Sequence, residues 1–288
     1  MTSTLISAAD LASHTSDPHW LIVDCRFDLA QPAAGATAYA ASHIPNAVYA
    51  HLDRDLSGPI TATSGRHPLP APDQLAATLS AWGLTDDTQV VAYDADTGAY
   101  AARLWWLLRW AGHRKVAVLD GGLKAWTAAG LPVTAEIAQR TPSRFKVHPD
   151  RSLWLDVDEV AERVRRRDWR LLDARGAERY AGTVEPIDKV AGHVPGALSH
   201  PFALNLAADG RFLPAEELRA RFEKSQAAAD GAPISDQHTI AMCGSGVTAC
   251  HLLLGLEIAG KPGAKLYAGS WSEWLRDPAR GVAKGDAP

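Results

Sequence analysis

The chain has 288 residues, which is long for one domain and sufficient for two domains that each bury a core of their own. Its hydrophobic content of 47% and charged content of 22% are ordinary for a globular protein. The formal net charge of -4 argues against nucleic acid or an anionic membrane as a bulk partner. The basic run 163–167 follows acidic residues in a helical pattern, which favours a solvated helix face.

The chain contains three cysteines, Cys25, Cys243 and Cys250, and none of them forms a CxxC pair. An odd count cannot be a closed disulfide framework, and it fits a reducing compartment. The N-terminal stretch lacks the basic region and apolar core of a secretory signal, and no apolar run approaches the ~18 residues of a membrane span. We therefore expect a soluble, cytoplasmic protein whose cysteines serve either packing or chemistry.

The first half of the chain alternates short apolar runs with helical patterns. Buried strands are predicted at 21–24, 90–93 and 116–119. Helices are predicted at 99–112 and 122–130, each ending at a glycine. This alternation predicts an α/β fold in which a parallel sheet is covered by helices on both faces. In such sheets, ligands bind at the carboxyl ends of the strands.

Four sequence blocks of the first half return in the same order in the second half. The blocks are LIVDCR (21–26) and LLDAR (171–175), SHIPNAVYAH (42–51) and GHVPGALSHP (192–201), VVAYDADTGAYAARLWWLLRWAG (90–112) and TIAMCGSGVTACHLLLGLEIAG (239–260), and VLDGGLKAW (118–126) and LYAGSWSEW (266–274). Asp24 and Asp173 are 149 positions apart, and so are Asp94 and Cys243. A shared offset of this kind predicts a duplicated domain.

A polar segment with two prolines, residues 139–152, separates the two copies and is the predicted linker. We therefore predict an N-terminal domain at 1–138 and a C-terminal domain at 153–288. The two copies differ at one position of chemical interest, because Asp94 in the first corresponds to Cys243 in the second.

Cys243 is placed at the carboxyl end of a predicted strand, directly before the glycine-rich turn 244–248. Two glycines allow consecutive backbone N–H groups to converge, and the helix that follows adds partial positive charge at the same place. Such a cradle favours the thiolate over the thiol and would stabilise an anionic group attached to the sulfur. The alternative is a buried cysteine that happens to lie beside a turn.

The local sequence pattern indicates the roles of the other two cysteines and argues against one rival enzyme class. Cys25 lies in an apolar strand and Cys250 inside a predicted helix, so both are expected to be core residues. Phosphatases that use a cysteine in a similar loop need an arginine six positions after it, to clamp phosphate with two hydrogen bonds. Here that position is Ala249, which argues against phosphate-monoester hydrolysis.

The tandem repeat and the motif CGSGVTA (243–249) together resemble the rhodanese superfamily, and most closely its 3-mercaptopyruvate sulfurtransferase branch. The motifs SHIPNA, GHVPGA, GGLKAW and GSWSEW extend the resemblance over nearly the whole chain. It implies two tandem rhodanese-like domains. In thiosulfate-preferring relatives the two residues after the cysteine are typically basic, whereas here they are Gly244 and Ser245.

The resemblance implies a covalent reaction in two steps. Cys243 would take the sulfur of 3-mercaptopyruvate as a cysteine persulfide and release pyruvate, and ping-pong kinetics would follow. The sulfur would then pass to a small thiol, to cyanide or to a thioredoxin-like protein. No metal and no cofactor other than the persulfide itself is implied. With Asp94 in place of the cysteine, the first domain resembles a non-catalytic copy.

The same resemblance implies roles for several further residues. Ser245 and Asp53 match the serine and aspartate of a Cys-Ser-Asp arrangement, in which the aspartate orients the serine and helps to move a proton to the leaving enolate. His67 matches a histidine of the region between the domains, although it also fits a turn. Arg179 matches the first arginine that binds the carboxylate of the substrate. The remaining loop residues implied in substrate binding are Gly244, Gly246, Val247 and Thr248.

The position of the second substrate arginine departs from the family pattern. About nine positions after Arg179 the chain has Asp188 and then Lys189, which could serve as a point charge but not as a bidentate clamp. This leaves two alternatives to the mercaptopyruvate assignment. One is a thiosulfate:cyanide sulfurtransferase, and the other is a module that receives persulfide sulfur from a partner and relays it.

Overall fold

The computed structural model describes residues 4–224 and 235–288, which divide into two compact units. The first unit consists of Met1–Gly58, Leu69–Asp150 and Ala208–Phe212, and the second of Pro59–Pro68, Arg151–Ala207 and Leu213–Pro288. The short segment Pro59–Pro68 belongs to the second unit although it comes from the first half of the chain. The domain limits predicted from the sequence, 1–138 and 153–288, stay a prediction.

The first unit is a five-stranded sheet with associated helices. Its strands are β1 (Leu5–Ile6), β2 (Trp20–Asp24), β3 (Val48–Tyr49), β4 (Gln89–Tyr93) and β5 (Val116–Leu119). Its helices are α1 (Ala8–Ala12), α2 (Ala34–Ala41), α3 (Leu52–Asp55), α4 (Pro72–Ala81), α5 (Ala101–Trp110) and α6 (Gly122–Ala128). All neighbouring strands are parallel, in the order β1-β5-β4-β2-β3.

The second unit repeats this topology. Its strands are β6 (Trp154–Leu155), β7 (Arg170–Asp173), β8 (Ala197–Ser199), β9 (Thr239–Met242) and β10 (Lys265–Tyr267). Its helices are α7 (Val157–Arg166), α8 (Ala177–Ala181), α9 (Ala215–Glu223), α10 (Thr248–Ile258) and α11 (Ser270–Trp274). The parallel order is β6-β10-β9-β7-β8. The offset of 149 positions relates the first residues of β1 and β6, of β3 and β8, and of β5 and β10.

Both faces of the first sheet are covered, as the apolar strand patterns predict. Successive residues of a strand point to opposite faces. In β4, Val91 and Tyr93 join a buried cluster with Trp126 of α6, while Val90 and Ala92 on the other face are buried as well. The corresponding strand β9 is buried along its whole length. The α/β fold with two parallel sheets is therefore confirmed.

The basic run noted in the sequence forms the end of α7. This helix starts with a capping box between Asp156 and Glu159, and it carries its arginines in the last turn, where they suit the helix dipole. Arg165 and Arg166 are exposed and pair with Glu162 on the same helix. The run is therefore a solvated face. Within the described ranges, none of the helices combines the length and the apolar character needed to cross a membrane.

Candidate active site

Cys243 directly follows β9, the central strand of the second sheet. Its neighbours in the sheet are β7 and β10, so the residues after all three strands converge at one carboxyl edge. The cysteine is only 2% exposed. The backbone N–H groups of Ser245 and Gly246 point at its sulfur, with N···Sγ distances of 3.4 and 3.1 Å. The turn thus forms the amide cradle that its glycines predict, and the cradle can stabilise negative charge on the sulfur.

Gly246 has to be a glycine for two reasons. Its φ of 79° lies in the left-handed region, which residues with a Cβ avoid. A Cβ at this position would also approach the carbonyl oxygen of Ala268 to 2.2 Å. The end of β10 therefore packs directly against the turn and fixes the direction of the Gly246 N–H.

Ser270, which the sequence analysis missed, supports the backbone of the cysteine. The Cys243 N–H donates to Ser270 Oγ at 3.0 Å, and the hydroxyl donates to the carbonyl oxygen of Tyr267 at 2.8 Å. Ser270 itself has a φ of 52°, uncommon for a residue other than glycine. Its counterpart in the paired blocks 118–126 and 266–274 is Gly122, with a φ of 57°. The replacement of a left-handed glycine by serine was a signal that the repeat alignment contained.

Ser245 and His67 form a buried pair. Ser245 Oγ lies 2.7 Å from His67 Nδ1, and the two residues are 5% and 4% exposed. A short contact between a hydroxyl and an imidazole can pass a proton in either direction, according to the tautomer of the ring. The structure therefore brings together two of the residues that the resemblance implied, immediately beside the cysteine.

Asp53, the third residue of that set, lies in the first unit. It is the second residue of α3, its side chain is exposed, and its backbone N–H donates to His51 Nδ1 at 3.2 Å. Its role in orienting Ser245 stays a prediction.

Arg179 on α8 is held by a buried carboxylate. Its guanidinium donates to Glu185 Oε1 through Nε at 3.1 Å and through Nη2 at 2.7 Å. Burial alone would raise the pKa of Glu185, but the hydrogen bonds from Arg179 and from the N–H groups of Asp188 and Ile187 outweigh it and lower that pKa. Glu185 is therefore an ionised clamp that orients the predicted substrate arginine.

Asp188 joins Arg179 to a second arginine, Arg66, which the sequence analysis did not select. Asp188 Oδ2 accepts from Arg179 Nη2 at 3.1 Å, and Oδ1 accepts from Arg66 Nη1. The backbone N–H of Arg66 donates to Ser272 Oγ at 3.1 Å, which ties its segment to the start of α11. The only sequence signal for Arg66 was its position next to His67 in SGRHPLP.

Both guanidiniums lie beside the cysteine turn. A Cβ built on Gly244 would be 2.9 Å from Arg66 Nη2 and 3.6 Å from Arg179 Nη1. Gly244 therefore leaves room for the two cationic groups at the first residue after the nucleophile candidate. Lys189, proposed from the sequence as a replacement cation, has an exposed side chain.

The other predicted loop residues belong to the start of α10. Val247 is the N-cap residue and is buried, and Thr248 is the first helical residue. The described contacts include no side-chain cap for this helix. Arg175 has a different function, since it donates to Asp173 at 2.6 Å and to the carbonyl of Gly192 at 2.7 Å. It repeats the pairing of Arg26 with Asp24 and is a structural residue, as the repeat predicts.

The two other cysteines have packing environments. Cys25 is buried in the first unit, and burial together with nearby carboxylates such as Asp24 raises the pKa of its thiol well above the usual value. Cys250 is the third residue of α10, and its thiol is 3.2 Å from the carbonyl oxygen of Gly246. Neither has the converging amide N–H groups that surround Cys243.

The corresponding turn of the first unit is two residues longer and has a carboxylate in place of the sulfur. Asp94 accepts the N–H groups of Gly98 at 2.9 Å and Tyr100 at 2.8 Å. Burial raises the pKa of Asp94, although these backbone hydrogen bonds oppose the effect. The cradle of the first unit is therefore filled by one of its own side chains.

Comparison with known proteins agrees with this architecture. The family model of the rhodanese-like domain matches residues 7–129 and 156–277. A probable 3-mercaptopyruvate sulfurtransferase from Pseudomonas aeruginosa is 51% identical over 98% of both chains. A putative thiosulfate sulfurtransferase, SseB, from Mycobacterium tuberculosis is 39% identical over 98% of both chains.

A solved structure supports the same conclusion. The crystal structure of SseA from Escherichia coli, described as a 3-mercaptopyruvate sulfurtransferase with the rhodanese fold, superposes with a TM-score of 0.80. It is 31% identical and covers 94% of this chain and 100% of its own. The chain belongs to the rhodanese-like family, with two tandem domains. It is a sulfurtransferase, an enzyme that moves sulfur from a donor to an acceptor.

Proposed function

We propose that the protein transfers sulfur from 3-mercaptopyruvate to a thiol, to cyanide or to a thioredoxin-like acceptor, through a persulfide on Cys243. The observation that carries this proposal is the pair of N–H groups of Ser245 and Gly246 directed at the Cys243 sulfur. A persulfide is anionic at neutral pH when its environment stabilises the charge, and converging amides do this without a mobile counterion. The names of the relatives support the same donor class.

In the first step the Cys243 thiolate attacks the sulfur of mercaptopyruvate. A sulfur–sulfur bond forms and the carbon–sulfur bond of the donor breaks, with its electron pair leaving on carbon as the enolate of pyruvate. The enolate then takes up a proton to give pyruvate. In the second step the acceptor attacks the outer sulfur of the persulfide and the Cys243 thiolate leaves, so that the enzyme returns to its starting state and no separate cofactor is used.

The pair of Ser245 and His67 is proposed to supply the proton to the enolate. Their 2.7 Å contact allows the serine hydroxyl to give up its proton while the imidazole replaces it. Asp53 is retained in this proposal as the aspartate that assists Ser245, on the strength of the resemblance alone. Arg179, oriented by Glu185, is proposed to bind the donor carboxylate.

Thiosulfate is the second candidate donor. The 39% identical relative is named for it, and a dianion of this size suits a turn bordered by two guanidiniums. With thiosulfate the leaving group is sulfite, which departs with its electron pair and needs no proton. The two donors therefore make different demands on Ser245.

Steady-state assays of both donors with cyanide as the acceptor test the proposal. We expect turnover with at least one donor, a higher kcat/KM for mercaptopyruvate, and loss of all turnover in Cys243→Ser. Intact-mass spectra after exposure to the donor without an acceptor are expected to show a gain of one sulfur atom in the wild type and in the control variant Cys25→Ala. Absence of turnover with either donor would reject the catalytic proposal, and sulfur uptake by Cys243→Ser would reject the assigned carrier.

A further inference from the structure

We propose that Arg66 and Asp188 set the donor specificity of the Cys243 site. Arg66 provides the second guanidinium of an anion-binding site beside the turn, and Asp188 lowers the affinity of that site for anions because it pairs with the same two guanidiniums and offsets their charge. The inference rests on the proposed function for its substrate, but the anion site itself can be tested without turnover.

The position of Arg66 carries the first part of the argument. Its Nη2 is the closest atom to a Cβ built on Gly244, at 2.9 Å, and Arg179 follows at 3.6 Å. The two guanidiniums therefore flank the residue next to Cys243, where the anionic end of a donor bound through its sulfur would lie. Arg66 Nε is buried and has no hydrogen-bond partner among the described residues. Its N–H is therefore available to form a hydrogen bond with a bound anion, in addition to the charge of the guanidinium.

The segment that carries Arg66 is fixed on the second unit at three places. The backbone of Arg66 is bonded to Ser272, the next residue His67 is bonded to Ser245, and Arg276 donates to the carbonyl oxygen of Ser64 at 3.0 Å. A cation held by a backbone anchored in this way keeps its direction at little cost in conformational entropy. Arg66 is therefore placed as a permanent part of the site.

Asp188 is the acidic partner of both arginines. Its side chain is 5% exposed and bridges Arg66 and Arg179 with its two oxygens. Asp188 also stands where the resemblance led us to expect the second substrate arginine. The chain therefore has a carboxylate where a guanidinium was expected, and Arg66 supplies a cation beside the turn instead. A donor anion has to bind beside two guanidiniums whose charge Asp188 already offsets in part, so the carboxylate at 188 weakens the attraction of the site for any anion.

A purely structural role for the ion pair is the competing explanation. The pair is partly buried, with the Arg66 side chain 25% and the Asp188 side chain 5% accessible to solvent. A structural pair predicts a change in stability with no change in the preference of Cys243 for charged reagents. The anion site predicts the opposite pattern.

The test compares alkylation of Cys243 by iodoacetate and by iodoacetamide. Both reagents form the same sulfur–carbon bond and release iodide, but only iodoacetate is an anion. We expect Arg66→Gln to lower the iodoacetate-to-iodoacetamide rate ratio about fivefold, and Asp188→Asn to raise it by about the same factor. Arg165→Ala removes an exposed arginine of the same unit and serves as the matched control with an unchanged ratio. All rates are measured at low ionic strength, where screening is weakest.

Two further variants keep the result independent of folding defects. Thermal unfolding is followed for each protein, and the double variant Arg66→Asp/Asp188→Arg is expected to recover most of the ratio that Arg66→Asp loses. If Arg66→Gln does not fold, Asp188→Asn still tests the site in the opposite direction. Equal changes with the two reagents, or no change, would overturn the inference.

Donor kinetics separate this inference from the proposed function. In Asp188→Asn the KM for mercaptopyruvate and for thiosulfate is expected to fall severalfold, while kcat changes little. If neither donor is turned over by the wild type but the alkylation ratios shift as expected, the anion site stands and the sulfur donor is wrong. If turnover is observed and the ratios do not shift, the function stands and the specificity role of Arg66 and Asp188 fails.

Discussion

Gly246→Ala is expected to disrupt the amide cradle around Cys243 while it changes the stability of the fold only slightly. The new Cβ would lie 2.2 Å from the carbonyl oxygen of Ala268, and contacts below 3.0 Å are essentially absent from real proteins. The turn therefore has to move by roughly 1 Å, because the carbonyl belongs to a strand end that cannot yield independently. That displacement lengthens the 3.1 Å contact between the Gly246 N–H and Cys243 Sγ beyond hydrogen-bonding range.

The expected effects of this substitution on the rate and on the stability differ greatly in size. Removal of one donor from a preorganised anion site costs about 10²- to 10³-fold in rate, and we expect a loss of kcat/KM in this range. An alanine with a positive φ costs about 1–2 kcal/mol of stability, which lowers the melting temperature by only a few degrees in a chain of this size. The stability effect alone leaves the enzyme folded at assay temperature.

The matched control is Gly196→Ala in the same unit. Gly196 has a φ of 83°, close to the 79° of Gly246, but a Cβ at Gly196 would meet nothing within 4 Å. The control therefore imposes the same backbone strain without the steric displacement. We expect Gly196→Ala to lose stability and keep its kcat/KM. The reasoning is refuted if Gly246→Ala stays within threefold of the wild-type kcat/KM, or if the two variants lose activity equally.

Three other predictions concern the same unit. Ser245→Ala is expected to slow turnover of mercaptopyruvate more than turnover of thiosulfate, because only the first donor needs a proton on its leaving group; equal losses would remove Ser245 from the proton path. Iodoacetamide at neutral pH is expected to label Cys243 fastest, and peptide mapping that finds Cys25 or Cys250 labelled equally fast would contradict the amide-cradle argument. The lowered pKa of Glu185 means that its charge stabilises the fold above the ordinary carboxylate range and that this stability is lost as the pH falls through the folded-state value. Glu185→Gln should therefore flatten the fall in melting temperature between about pH 5 and pH 3, and an unchanged acid limb would argue against the clamp.

The repeat made the fold predictable. An offset of 149 positions aligned Asp94 with Cys243, and offsets of 149 or 150 positions relate the first residues of the paired strands, because a duplicated chain keeps the spacing of its buried segments. The turn around Cys243 was predictable for a related reason. Its glycines can be identified by residue type alone, since no other residue permits the curvature that the cradle needs.

The arginine network was not predictable from pattern. Arg66 and Asp188 are 122 positions apart, and Arg66 lies in a segment of the first half that packs on the second unit. Neither residue belongs to a periodic face or to a repeated block, so no local signal relates one to the other. Ser270 is an intermediate case, because its alignment with Gly122 was visible but the meaning of a serine in the left-handed region depends on the hydrogen bond to Cys243.

The corresponding turns of the two units begin with different residues, an aspartate in the first and a cysteine in the second. In the first, the carboxylate of Asp94 accepts amide N–H groups and occupies the anion position permanently. In the second, the thiol of Cys243 stands at the corresponding position, and the N–H groups of Ser245 and Gly246 are directed at its sulfur. The carboxylate of Asp94 is a permanent part of its side chain and cannot be exchanged for another group. A cysteine sulfur, by contrast, can form and break a bond to a second sulfur at neutral pH. The cradle alone therefore does not define a catalytic domain; it becomes one only where the charge that it stabilises can be loaded and removed.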